Sequence, residues 1–104
     1  MNLHKPIRGD KFALGRIAYT QGVERACTPE FMVACLKRHA QGDWGVMVPP
    51  DREVNDQAMA SGGRLHSAYA IDETLLCRGF GDNCLWIITE VDRSVTTLLL
   101  PAEY

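Results

Sequence analysis

The densest set of chemically able side chains in this 104-residue sequence is Glu90, Asp92 and Arg93. On a strand, residues two apart share a face, so Glu90 and Asp92 form a carboxylate pair that could hold Mg²⁺ for phosphodiester chemistry. The same residues also have a structural use. Asp92 can cap its own turn, and Glu90 can pair across strands with Thr97 or an arginine. The structural use is preferred, and neither a bound metal nor a cofactor is expected. His39 and Asp43 suit a general base and its orienting partner, and His39 with Glu90 and Arg93 (or Arg64) would suit RNA cleavage. Against that chemistry, His39 keeps step with the apolar positions of a helix and lies near its C-terminus, where a histidine packs and caps carbonyls. Cys27, Cys35, Cys77 and Cys84 contain no C-x-x-C pair, so they read as thiols rather than zinc ligands. Ser67 lacks a G-x-S-x-G elbow, and Gly62-Gly63-Arg64 lacks the lysine and hydroxyl of a phosphate-binding loop.

The elements that must position these residues are organised around Leu85–Leu100. Two β-branched and apolar runs, Leu85–Val91 and Val95–Leu100, flank Asp92-Arg93-Ser94 as an antiparallel hairpin. Before it, residues 1–11 read as a loose leader. Phe12–Thr20 reads as a first strand in which Gly15 marks a bulge or a close backbone approach. Gln21–Cys27 is short and polar, suggesting a helical turn. Thr28-Pro29-Glu30 is a strong helix start, and Phe31, Met32, Cys35, Leu36 and His39 form its apolar stripe, so a helix is predicted over Pro29–Gln41 with Gly42 as its stop. A second helix is predicted over Asp51–Ser61, its shallow stripe made of Val54, Ala58 and Met59. Arg64–Ile71 reads as a strand, and Glu73–Arg78 as an extension of the sheet before a turn at Gly79–Asn83. The expected fold is one α+β domain: an N-terminal strand, two helices, then a three-stranded antiparallel meander with the helices on one face. Trp86 and Ile88 lie opposite Leu85, Ile87 and Val91, so both faces of the central strand need cover. The first strand's flank, the C-terminal tail or a second copy of the chain would serve, which makes a homodimer an expectation.

Composition narrows the function classes. Apolar residues make up 46% and charged residues 23%, a globular composition. The net charge of −2 provides no field for nucleic acid. No apolar run reaches the ~20 residues of a membrane span, and the early sequence lacks a secretory apolar core, so a cytoplasmic chain is expected.

The segments LGRI (14–17), GDWG (42–45), DRxxND (51–56), RLxSAY (64–69) and WIITExDRSxTTxLLPxEY (86–104) together resemble a family of short bacterial proteins described as plasmid-related or hypothetical, carried on plasmids and integrated elements. The chain departs from that pattern between Tyr69 and Trp86, where the connection is longer. The resemblance implies mobile-element cargo and no particular activity. With no convincing catalytic set, the expected function is a non-enzymatic interaction protein, an accessory or anti-defence inhibitor that binds a protein partner. Its candidate contact residues are Trp44, Arg52, Asp56, Arg64, Asp92 and Arg93. The alternative is an RNA-cleaving toxin using His39, Glu90 and Arg93.

Overall fold

The structure, a computed structural model, describes residues 10–104. Most of the expected leader lies outside the described residues. Asp10 and Lys11 are tied to the following domain: Gln41 Nε2 donates to Asp10 at 3.2 Å, and the Lys11 amide donates to the Ala40 carbonyl at 2.8 Å.

The chain is α+β, in the order β1 (Arg16–Tyr19), α1 (Gln21–Ala26), α2 (Pro29–Ala40), α3 (Pro49–Ser61), β2 (Leu65–Ala70), β3 (Cys84–Thr89) and β4 (Val95–Leu99), closed by a 3₁₀ turn at Pro101–Glu103. The antiparallel meander β2-β3-β4 is present as expected. The first strand changes its character, because β1 adds alongside β4 in parallel, giving a mixed four-stranded sheet of order β1-β4-β3-β2. The turn predicted before α2 is a full helix, α1. It is N-capped by Thr20, whose Oγ1 accepts from the Val23 amide at 3.2 Å.

On α2 the predicted signals operate. Thr28 Oγ1 accepts the Phe31 amide at 3.1 Å, Pro29 opens the helix, and Met32, Cys35, Leu36, His39 and Ala40 are buried. Together with Val23 and Cys27 they pack on Tyr69, Leu85, Ile87 and Leu98, the residues that β2, β3 and β4 turn to that face. The opposite face of β3 is covered by the C-terminal tail. Trp86 meets the Tyr104 ring edge-on at 5.6 Å, and Glu103 is held by Thr20 Oγ1 at 2.6 Å.

The third helix departs from the expected layering. It does not lie on the helical face but runs against the outer edge of β2. Asn55, buried within it, donates to the His66 carbonyl at 2.7 Å and accepts the His66 amide at 3.0 Å, standing in for a missing strand partner. The next outward-facing residue, Ala68, is served by the GDWG turn, donating to Trp44 O at 3.1 Å and accepting from the Val46 amide at 2.8 Å. This edge is therefore closed to another strand. The predicted stripe on α3 is corrected accordingly: Asn55 and Ala58 face the domain, while Val54 is 61% exposed. Asn55→Ala would orphan both backbone groups of His66 and reopen the edge. It should cost about 2 kcal/mol and promote self-association, read as a lower denaturant midpoint and a concentration-dependent light-scattering mass.

Two further expectations are corrected. The segment Glu73–Arg78 does not extend the sheet, because Asp72 and Asn83 close a loop instead. Asn83 Oδ1 accepts the Asp72 amide at 2.8 Å, and its Nδ2 donates back to the Asp72 carbonyl at 3.0 Å. The strand predicted to reach Val91 ends at Thr89, since Asp92 turns the chain by accepting the Ser94 amide at 3.0 Å and Arg93 adopts a left-handed φ of 61°. Val91 therefore does not share the inward face of Leu85 and Ile87 but lies 60% exposed in the turn.

Candidate functional site

The polar residues of GDWG (42–45), DRxxND (51–56) and RLxSAY (64–69) are engaged in contacts within the fold. Trp44 is buried with Ala58 and Leu65, and its indole N–H donates to Asp56 at 2.9 Å. Arg52 donates to the carbonyls of Met47 (2.6 Å) and Gly45 (3.1 Å). Tyr69 donates its hydroxyl to Asp43 O at 2.6 Å. Asp43 itself accepts from Arg38 Nε at 2.7 Å and from the Gly45 amide at 3.1 Å, and the Arg38 hydrogen bond holds its carboxyl below the usual range. These contacts clamp the 42–48 turn between α2, α3 and β2. Of the predicted contact residues, Trp44, Arg52 and Asp56 thus belong to one structural clamp, with Trp44 offering no surface.

Arg93 has a comparable role. Its guanidinium donates to Gly63 O at 2.6 Å, Glu90 O at 3.0 Å and Ala58 O at 3.2 Å, tying the β3–β4 turn to the C-terminal carbonyls of α3. Glu90 faces the other side of the sheet, 3.7 Å from Arg64. Arg64 also donates to the Tyr104 hydroxyl at 2.7 Å. The Asp92 carboxylate serves its Ser94 turn and is held low by that hydrogen bonding. Glu90 and Asp92 do not share a strand face, because the strand has ended before either. Among the described residues, no three His, Cys, Asp or Glu side chains are placed to hold a metal ion.

His39 anchors a buried polar chain through the sheet. Its Nδ1 bonds Ser67 Oγ and its Nε2 bonds Thr89 Oγ1 at 2.9 Å. Thr89 Oγ1 meets Thr96 Oγ1 at 2.7 Å, and Thr96 donates to the Leu14 carbonyl at 2.7 Å. The terminal carbonyl fixes every direction, because a carbonyl only accepts and a hydroxyl has one proton. Thr96 must then accept from Thr89, and Thr89 must accept from Nε2–H of His39. The imidazole is therefore the neutral Nε2–H tautomer, with Nδ1 accepting from Ser67. Burial is the main cause that drives its pKa down to about 3, with His66 and Arg93 adding to the effect. The Phe12 ring lies beside the imidazole, 5.2 Å away edge-on, and 5.7 Å from the Arg93 guanidinium. The structure does not gather His39, Glu90 and Arg93 on one surface: His39 is fully buried, and Arg93 is committed to backbone carbonyls.

Apart from Arg64, what the structure places at this surface was not singled out from the sequence. A groove of about 530 Å³ lies between α3 and the 72–83 loop, with Trp86 and His66 among its lining residues and Met47, Val54 and Phe80 among its walls. Trp86 is fixed by its indole N–H donating to Gly79 O at 2.7 Å and by His66, whose ring meets it edge-on at 4.5 Å. Burial, and next to it Arg64, pushes the His66 pKa down, which favours the neutral imidazole. Arg64, Arg78 and Asp51 are the charged residues that line the groove. Arg64 is engaged by Glu90 and Tyr104, whereas Arg78 makes no hydrogen bond or ion pair with another described residue. Val46 joins this groove to a second depression lined by Arg38, Tyr69, Leu75 and Leu76. Of the seven large hydrophobic residues exposed among the described residues, Val48, Val54, Leu75, Leu76 and Phe80 border these two hollows. The only sequence signal for this surface was negative: apolar residues in 72–83 that fit no periodic stripe.

No family model, curated protein or solved structure matches this chain. The reading of the groove rests on its own geometry.

Proposed function

We propose that this chain is a protein-interaction module that receives an extended partner segment in the groove between α3 and the 72–83 loop. The segment would carry a large apolar side chain next to a carboxylate. The observation that supports this reading is the gathering of exposed Val48, Val54 and Phe80 around the groove, with Leu75 and Leu76 bordering the hollow that adjoins it at Val46, since isolated exposed apolar residues are ordinary but a contiguous group marks a contact surface. The unpaired guanidinium of Arg78 supplies the charge that an acidic neighbour would complement. Occupancy of a partner's surface is sufficient for an accessory or inhibitory role, and it uses no catalytic set.

Tagged protein recovered from its own host and weighed by native mass spectrometry should carry a stoichiometric partner. Phe80→Asp should weaken that complex by about 30-fold, the loss of an interface anchor of ~2 kcal/mol. Arg78→Glu should weaken it mainly at low salt. Val91→Asp, a substitution of an exposed apolar residue that does not line the groove, should leave it intact. Retention of the partner by Phe80→Asp, or loss of it equally by Val91→Asp, overturns the reading.

A further inference from the structure

The 72–83 loop is folded back so that its one cysteine meets the first residue of β3. Asn83 Nδ2 donates to Leu75 O at 3.3 Å and Leu76 O at 3.4 Å, bringing together the residues that precede Cys77 and Cys84. On the far side, Gly79 is pinned by the Trp86 indole at 2.7 Å. Between these two fixed points the Cys77 thiol lies close enough to that of Cys84 to act on its ionisation. Both are free thiols; Cys77 is half-buried and Cys84 fully buried opposite Ala70. Cys27 and Cys35, by contrast, are both sealed in the helical core.

We propose that Cys77 and Cys84 form an oxidisable pair, converted by a low-molecular-weight disulfide such as glutathione disulfide into an internal disulfide that staples the 72–83 loop to β3. The more accessible Cys77 reacts first. Its thiolate bonds to one sulfur of glutathione disulfide, breaks that S–S bond and expels a glutathione thiolate, which takes up a proton. Cys84 then gives its proton to solvent base, bonds to Cys77 Sγ, and expels the second glutathione. The two protein thiols lose two electrons, and one glutathione disulfide becomes two glutathione molecules. Burial, with the neighbouring Cys77 thiol adding to it, holds the Cys84 thiol up at about 12, so closure is the slow step and quickens as pH rises. Arg78 and Phe80 lie between the two cysteines, so oxidation fixes one wall of the groove. A thiol pair of this kind in a reducing compartment is a reversible sensor rather than a permanent brace.

The test uses the reduced full chain, incubated under native conditions with glutathione disulfide and followed by intact mass and peptide mapping. The wild type should pass through a glutathione adduct, then lose two hydrogens with residues 77 and 84 linked. Its thermal midpoint should rise by roughly 5–10 °C through closure of a short loop. Cys84→Ala should stop at the adduct on Cys77. Cys77→Ser, at the half-buried site, should form neither adduct nor link, and keeps the test decisive if Cys84→Ala folds poorly. A wild type that retains the adduct, remains unmodified, or links Cys27 or Cys35 overturns the proposal. None of these readouts requires a partner, so the result is separate from that of the docking experiment.

Discussion

Gly45→Ala is expected to remove a large share of the chain's stability. Gly45 has φ +75°, and a Cβ built there would lie 1.9 Å from the Ala68 carbonyl oxygen and 2.7 Å from the Tyr69 ring. Neither neighbour can give way. Ala68 is buried in β2 and bonded to the 44–46 segment on its outer side, and Tyr69 is locked by its hydrogen bond to Asp43 O. The left-handed conformation alone costs an alanine about 1 kcal/mol. Forcing the turn away from β2 would add the loss of two edge hydrogen bonds and of Trp44 packing, for a total of about 4 kcal/mol or more. A domain of this size has only ~5–15 kcal/mol to lose. Gly62→Ala is the control. Its φ is +91°, but its Cβ would meet nothing within 4 Å, so it should cost about 1 kcal/mol. Urea melts of the two variants separate close approach from backbone preference. Equal losses would show that the contact with Ala68 contributes little.

The second large effect belongs to His39. Truncation by His39→Ala should cost about 4 kcal/mol, because it opens a cavity in the core and leaves Ser67 and Thr89 hydroxyls buried without their partner. His39→Gln, whose amide has one donor and one acceptor to offer, should recover a large part of that. The same residue sets an acid limit. Its folded pKa of about 3 lies below the ordinary value of 6.5, so the unfolded chain binds the proton first. Stability from this group is complete above pH ~6.5 and is lost as pH falls toward 3, at a slope approaching ~1.4 kcal/mol per pH unit. The Gln variant, compared with the wild type at pH 7 and pH 5, should show a shallower decline. Parallel declines in both would mean that carboxylates, not His39, govern the acid response.

The helical signals were legible because they are local. Thr28-Pro29-Glu30 and Gly42 bracket α2 within its own sequence, and the stripe through Met32, Cys35, Leu36 and His39 names its buried face. The meander was legible for the same reason, in its two β-branched runs and a short polar turn. What escaped was everything decided by distant partners. Nothing in RIAY announces a parallel neighbour eighty residues away in the chain at roughly full separation, a pairing that shows only in three dimensions. Asn55 looked like an ordinary polar helix residue, yet it supplies the missing strand hydrogen bonds of β2. The apparent contact residues, Trp44, Arg52, Asp56 and Arg93, drew notice as large or charged groups in turns and helices. Their partners are backbone carbonyls and one another, a use that composition and spacing do not distinguish from recognition. The groove was invisible because its lining comes from four stretches far apart in the sequence, the 46–55 segment, the start of β2, residues 78–80 and Trp86 of β3.

The parallel pairing of β1 with β4 has a consequence for synthesis. Residues 16–19 leave the ribosome well before their partner strand and the Thr96 hydroxyl that receives the buried polar chain, which are made only after α1, α2, α3, β2 and β3. At ordinary elongation rates the interval is on the order of ten seconds. Throughout it the apolar stripe of α2 has no complete sheet to cover it, since Leu85, Ile87 and Leu98 are still to come. The nascent chain must therefore pass through a prolonged, sticky stage in which a holding chaperone has a stripe to grip, and the β3–β4 hairpin, on arrival, joins β1 and the helices into one core in a late step.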